Sequence, residues 1–235
     1  MTEQEWLTGE EDAEGMMIEL QYTFGVSERK LRLFTCACCR LMWHNLVDSR
    51  SRRAVEVAER FADGLADVDE LFEAREEAGG PHTQVRKLVE FERLPIAEQV
   101  EQASALAAFR SALSEDGWPF AQHARDVIRD AIMVAKKQVF GPNEEGTTVA
   151  LTAFLHDIFG NPFRPVAFDP EWRTSTAVML ATQMYESRDF SPMPILANAL
   201  QDAGCDNADI LNHCRDANGT HVRGCWVVDH VLGKT

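Results

Sequence analysis

The sequence predicts an all-α fold, an array of about ten helices with short connections. Apolar residues recur at helical spacing along almost the whole chain, and no segment shows the apolar–polar alternation of a strand. Capping residues and glycines stand where these periodic segments begin and end. With 235 residues, 45% of them hydrophobic, the chain is long enough to bury a core without cross-links.

The N-terminal part contains the helix that we expect at the centre of the fold. A short helix is predicted at 14–24, ended by Gly25. Ser27 then caps a helix that runs to about Val47. Its apolar residues lie on more than one face, which is typical of a buried helix. Residues 31–46 are therefore predicted to form one central buried helix.

The following helices are predicted from their capping and breaking residues. One begins after Asp48 or Ser49 and ends near Gly64, and Asp67 with Glu70 has capping-box spacing. The predicted segments, in order, are 49–64, then 68 to the Gly79-Gly80-Pro81 turn, then 82–113 with a break at Pro95, then 119–139.

The stretch GPNEEGTT, 141–148, is the predicted linker because it has turn-forming residues and no apolar residue. It separates an N-terminal helical region, 1–140, from a C-terminal one, 149–235, and we expect the two to pack together as one compact unit. In the C-terminal region an aromatic-rich connector follows the Gly160-Asn161-Pro162 turn. The predicted helices there are 149–159, 171–186, 192–203, 207–215 and 221–232.

Composition excludes several classes of protein. The net charge of −15 argues against nucleic acid as a partner, because phosphate binding requires lysine and arginine. No apolar run is long enough to span a membrane, and the acidic N-terminus lacks the features of a secretory signal. We therefore expect a cytoplasmic protein without a membrane partner.

Positive charge is concentrated between residues 29 and 53, where seven arginine and lysine residues face one aspartate. Arg50, Arg52 and Arg53 begin a predicted helix within this stretch. Two interpretations remain open. The basic residues either pair with acidic helices of the same molecule or form a binding site for a phosphate or an acidic partner.

The six cysteines contain no CxxC pair, which removes the commonest zinc-knuckle and thioredoxin patterns. Cys36, Cys38 and Cys39 lie in the predicted central helix, where thiols pack as small apolar groups. Near the C-terminus, the spacing C-x8-C-x6-H-x3-C is a possible zinc set. In that alternative the four ligands are Cys205, Cys214, His221 and Cys225. The other interpretation is that these side chains pack in a core with no metal, and it is the one we favour.

One dipeptide suggests catalysis. The stretch FLHDIFG, with His156 and Asp157, resembles the HD signature of helical metal-dependent phosphohydrolases. His123 would be the upstream ligand in that reading. The motif here runs into a Phe-Gly-Asn-Pro turn rather than the family's usual continuation, and other catalytic templates are missing from the chain.

Three parts of the chain together resemble an uncharacterised family that is expanded as many paralogues in planctomycete-type bacteria. They are RKLRLFTCACCRLMWH with SRRAVEVAERFADG, then DIFGNPFRPVAFDPEW, then HVRGCWVVDHVLGK. The resemblance implies no activity, cofactor or catalytic residue. In that family the position of His156 is often occupied by arginine, which weakens the interpretation of His156 and Asp157 as a phosphohydrolase motif.

These observations favour a non-enzymatic helical interaction or regulatory module that needs no cofactor and binds a protein partner. The partner site would be Arg50, Arg52 and Arg53. Two alternatives stay open: an HD-like metal-dependent phosphohydrolase and a domain with structural zinc.

Overall fold

The computed structural model describes residues 1–9, 13–82, 107, 108, 110, 112, 125–130, 132 and 144–234. They form helices and turns, and no strand occurs among these residues, which confirms the predicted all-α class. The elements with defined bounds are α1 (Glu3–Thr8), α2 (Ala13–Glu19), a π-helical turn (Leu20–Phe24), α3 (Glu28–Leu41), a 3₁₀ turn (Trp43–Asn45), α4 (Ser49–Ala62), α5 (Val68–His82), α6 (Glu144–Phe159), a second 3₁₀ turn (Pro170–Trp172), α7 (Ser175–Ser187), α8 (Met193–Asp202), α9 (Ala208–Arg215) and α10 (Trp226–Leu232).

Local capping chemistry determines where several helices begin. The side chains of Ser27, Asp48 and Asp67 accept hydrogen bonds from backbone N–H groups in the first turns of α3, α4 and α5. The predicted starts of these helices are confirmed. The predicted end of α5 is wrong, since the helix continues through both glycines to His82. Buried Ala74 and Ala78 belong to the same apolar cluster as α4, and such packing can outweigh weak helix propensity.

The predicted linker and the helices beside it have a mixed outcome. Most of 82–113 and 119–139 lies outside the described residues, although 107, 108, 110, 125–130 and 132 are helical. Residues 141–143 also lie outside them. The linker prediction is wrong from Glu144 onward, because α6 begins there. Acidic residues such as Glu145 are favourable in a first helical turn, where the helix dipole is positive.

The central helix is shorter than predicted. Leu31 to Cys39 are buried without interruption, as expected for a core helix. The regular helix ends at Leu41, which is only half-buried, because Met42 leaves the helical conformation and a 3₁₀ turn follows. His44 in that turn is exposed, whereas Leu46 is buried again. The predicted burial of 31–46 is therefore wrong at its C-terminal end.

The buried apolar residues form two clusters. The first contains side chains of α1 to α6, and the second contains side chains of α7 to α10. Helix α6 belongs to the first through Leu151, Phe154, Leu155 and Ile158. Among the described residues, no helix combines the length and apolar character needed to cross a membrane.

An ordered connector joins α6 to α7. Gly160 ends α6 with a φ of +65°, and a β-carbon there would lie 3.2 Å from the Trp226 ring. The indole N–H of Trp6 donates to the Gly160 carbonyl oxygen at 3.1 Å. Phe163 packs edge-on against Phe24, with ring centres 4.9 Å apart. These contacts hold the connector against the first cluster, as its aromatic residues predict.

A buried carboxylate also connects the two clusters. Asp63, after α4, accepts hydrogen bonds from Arg29, Tyr185, Arg223 and Lys234 at 2.7–3.1 Å. Burial would raise the pKa of Asp63, but the hydrogen bonds and the nearby cations lower it below its ordinary value. This ionised group therefore ties α3 and α4 to α7 and the C-terminal segment.

Candidate metal centre

The adjacent residues of the HD dipeptide have different surroundings. His156 turns toward α1, where Nε2 lies 2.8 Å from the Trp6 carbonyl oxygen and the two rings are in contact. Burial lowers the pKa of His156, so the neutral ring donates to that oxygen. Asp157 turns toward the C-terminal segment, with its side chain only 2% exposed. The two side chains therefore make different contacts, although both line one cavity.

Asp157 lies in a cluster of four potential metal ligands. They are the Asp157 carboxylate, the His213 and His221 imidazoles and the Cys225 thiol, and one ligand atom of each lies within 4.8 Å of all the others. Asp157 Oδ1 is 2.8 Å from His221 Nδ1 and 3.2 Å from His213 Nε2. His213 Nε2 is 3.2 Å from Cys225 Sγ. In a tetrahedral zinc site the ligand atoms lie about 3.3 to 3.6 Å from one another, so small movements of these side chains would make room for the ion.

Three different elements contribute these ligands. Asp157 lies in the last turns of α6, and His213 lies in the last turn of α9, a helix capped by Asn207. His221 comes from the loop after α9, and Cys225 is the residue immediately before α10. The cluster therefore forms only when α6 packs against the C-terminal helices.

The loop that carries His221 is held in place by its own backbone. The Gly219 N–H donates to the Asp216 carbonyl oxygen at 3.1 Å, and the Val222 N–H donates to Asp157 Oδ2 at 2.8 Å. Gly224 has a φ of +98°, which places Cys225 at the start of α10. One oxygen of Asp157 thus anchors the loop, and the other faces the two imidazoles.

The electrostatics of the cluster are those of a buried anion. Burial would raise the pKa of Asp157, but hydrogen bonds from His213 and His221 lower it below its ordinary value. Burial, reinforced by the charge on Asp157, raises the pKa of the Cys225 thiol well above normal. Asp157 is therefore ionised at neutral pH, whereas the Cys225 thiol keeps its proton.

No family model matches the sequence, and no curated protein or solved structure is significantly similar to the chain. The geometry of the cluster therefore carries the functional argument. Two strings that support the family resemblance, DIFGNPFRP and HVRGCWVVD, contain three of the four ligands.

Half of the zinc set suggested by the sequence lies in this cluster. His221 and Cys225 are members, whereas Cys205 and Cys214 are not and lie in the second apolar cluster. Burial raises the pKa of Cys214 to about 12, as expected for a thiol that packs as an apolar group. The predicted helix 221–232 would place His221 and Cys225 on one helical face, and this is wrong because residues 221–225 precede the helix.

Asp157 and His213 were missed as members of this zinc set. The H-x7-H-x3-C spacing from His213 to Cys225 was visible in the sequence, but nothing there showed that α6 lies beside it. For the phosphohydrolase alternative, the structure keeps only Asp157 near other ligands. His156 lies outside the four-ligand group, and His123 lies outside the described residues.

A cavity of about 460 Å³ lies beside the cluster. Asp157, His213 and His221 line it, together with Asp216 and Gly219 of the loop. Cys225 is fully buried behind them. The cavity gives a cation or a chelator a route from solvent to the ligand atoms.

The three arginines of the predicted partner site have neighbours in the same chain. Arg50 pairs with Asp48 at 2.7 Å, and Arg53 pairs with Glu77 of α5. The guanidinium of Arg52 lies 5.6 Å from the centre of the Trp43 ring. Arg50 is exposed and the other two are half-buried. Their role in binding a partner stays a prediction.

Proposed function

We propose that this protein binds a divalent transition metal of the zinc type through Asp157, His213, His221 and Cys225. The metal would fasten the C-terminal helices to α6. The observation that carries the proposal is the convergence of four ligand atoms, from three separate elements, within 4.8 Å. Structural zinc sites have four protein ligands, so the proposal assigns no catalytic step to the metal.

The chemistry of the ligands favours zinc over the abundant hard cations. Magnesium and calcium take oxygen ligands, and Cys225 and the two imidazoles offer sulfur and nitrogen instead. Thiolate, imidazole and carboxylate are the three ligand types of protein zinc sites. The six cysteines are all free, which suits the reducing cytoplasmic compartment that we propose for this protein.

The position of the cluster supports a fastening role. Asp157 belongs to the last turns of α6, whose apolar face is in the first cluster, whereas Cys225 belongs to the second. The loop between α9 and α10 has no regular structure of its own. A metal that binds only the folded arrangement would add its binding free energy to folding.

The decisive experiment measures zinc in untagged protein purified without chelators. We expect close to one zinc ion per chain in the wild type and a loss of most of it in Cys225→Ser and His213→Gln. The matched controls are Cys214→Ser and His156→Gln, each a buried or half-buried residue of the same type outside the cluster. A metal-free wild type, or equal loss in the controls, would contradict the proposal.

A further inference from the structure

A second, partly enclosed cavity of about 190 Å³ lies on the other side of His221. Its apolar wall consists of Leu33 and Ala37 of α3, together with Phe190 and Val222. The remaining lining residues, besides His221, are all charged. A small pocket with an apolar wall and a few convergent charges is the usual form of a small-ligand site.

The charges of this cavity do not balance. Glu59 of α4 is its one lining carboxylate, with its side chain 3% exposed. Arg40 donates two hydrogen bonds to it, at 3.0 and 2.9 Å, and Arg188 donates another. Arg223 lies 3.9 Å from the same carboxylate. Three guanidinium groups therefore share one buried negative charge.

Asp63 does not supply the missing negative charge. It pairs with Arg223 at 2.8 Å, but Arg29 and Lys234 also lie 3.0 Å from it. Arg29 also pairs with Asp229, so the cations of this network (Arg29, Arg40, Arg188, Arg223 and Lys234) outnumber its three carboxylates (Glu59, Asp63 and Asp229). The excess positive charge persists although the whole chain has a net charge of −15.

Arg188 is the residue best placed to meet a ligand. It follows α7 with a φ of +57°, a left-handed conformation that is uncommon for residues other than glycine. Its side chain is 38% exposed and directs one N–H group to Glu59. A guanidinium has five N–H donors, so most of those on Arg188 have no partner in the described part of the chain.

We propose that this cavity binds a small aliphatic carboxylate. The carboxylate would accept hydrogen bonds from Arg188, Arg40 and Arg223, and the alkyl chain would lie against Leu33 and Phe190. The planar guanidinium group of arginine can donate two parallel hydrogen bonds to the two oxygens of a carboxylate. The cavity volume is that of roughly six molecules of liquid water. Butyrate has about the same number of non-hydrogen atoms, so it would fit the cavity.

Calorimetric titration of the full-length protein with butyrate tests this proposal, and butanol and inorganic phosphate serve as comparison ligands. We expect saturable binding of butyrate and none of butanol. Arg188→Gln should weaken the binding about tenfold or more, because it removes charge-assisted hydrogen bonds. Arg50→Gln, which removes an exposed arginine elsewhere, should leave it unchanged.

A second variant guards against a change in folding. Ala37→Leu fills the apolar wall and alters no charge, so it should abolish butyrate binding while the melting transition remains cooperative. The proposal is overturned if butyrate does not bind at millimolar concentration. It is also overturned if phosphate binds as well as butyrate, or if Ala37→Leu binds butyrate normally. The titrations use protein of known zinc content, with and without chelator, because His221, Val222 and Arg223 of the loop also line this cavity.

Discussion

Arg29 and Asp229 form a bidentate ion pair although 200 residues separate them in the sequence. The two guanidinium nitrogens of Arg29 lie 2.6 and 2.9 Å from the carboxylate oxygens of Asp229. The pair joins the N-terminal end of α3 to α10, and both side chains are largely shielded from solvent. Burial raises the pKa of Asp229, and Arg29 opposes that shift. A buried ion pair therefore lies between the two apolar clusters.

Arg29→Gln should destabilise the protein by about 3–5 kcal/mol, because it leaves the Asp229 carboxylate buried without its cation. The free energy of unfolding, measured by urea denaturation, checks this value. The control is Arg50→Gln, which breaks an exposed pair with Asp48 and should cost only about 0–1 kcal/mol. If both variants lose the same small amount of unfolding free energy, the Arg29–Asp229 pair adds nothing to stability.

Asp63→Asn should make the stability of the protein less dependent on pH. Hydrogen bonds and cations lower the pKa of Asp63 in the folded protein, so its contribution is present above the unfolded pKa of about 4. That contribution is lost as the pH falls through the lower, folded pKa. We expect the variant to be less stable at pH 7 and to lose less stability on acidification. Urea midpoints between about pH 7 and pH 2 measure both effects.

Asp206→Asn is the comparison for that experiment, since Asp206 is exposed. Its urea midpoints should follow those of the wild type at every pH. A pH dependence that is the same in Asp63→Asn and in the wild type would show that other carboxylates control acid unfolding.

Removal of zinc should lower the melting temperature by about 5 to 10 °C, the shift expected when a ligand at roughly a hundred times its Kd is lost from a domain of this size. Added zinc should restore the original transition, and magnesium should not. Cys225→Ser should melt at the same temperature with and without chelator. If the wild type melts identically under all these conditions, the cluster does not bind a stabilising metal.

The sequence predicts those features of the fold that depend on interactions between residues close together in the chain. Ser27 was predicted correctly as a helix cap, and the start of α4 was predicted correctly after Asp48 or Ser49, because a cap depends on residues within one turn. The burial of α3 followed from its apolar pattern alone. The end of α5 was wrong because tertiary packing, which the local pattern does not show, carries the helix through Gly79.

The cluster itself could be predicted only in part. Cys225 and His221 are close in sequence and were considered together, but Asp157 is 64 residues away from His221. Its placement requires knowledge of how α6 packs against the loop after α9. The spacing of His213, His221 and Cys225 is visible in the sequence, but the loop conformation of 221–225 is not, because those residues were predicted to be helical.

Reversal of Arg50, Arg52 and Arg53 to glutamate tests the predicted partner site. Surface substitutions usually cost little, so the fold should survive, although Arg53 loses its pair with Glu77. If this region recruits an acidic partner, the change should abolish binding that weakens with salt. Affinity purification at low and high salt, with wild type and variant compared, measures it. Unchanged capture of the same partner would leave the three arginines as residues of a solvated face.

Leu33 and Leu41 lie in the same helix, α3, but differ in burial, so their substitution should have different effects on stability. Leu33 is 1% exposed, and its side chain fills the space beside Gly224, where a β-carbon would lie 3.0 Å away. Leu33→Ala should therefore cost about 2–5 kcal/mol through lost contacts and a cavity. Leu41 is half-buried, so Leu41→Ala should cost clearly less.

Aspartate variants of the same helix sharpen that comparison. Phe34→Asp would place a carboxylate in the first apolar cluster at a cost of several kcal/mol and should unfold the protein. The predicted burial of 31–46 implies the same result for Leu41→Asp, but Leu41 is half-buried and can direct a carboxylate partly into solvent. We therefore expect Leu41→Asp to retain a cooperative thermal transition at a lower temperature. Circular dichroism melts of both variants decide the matter, and a folded Phe34→Asp protein would show that α3 is not the centre of the core.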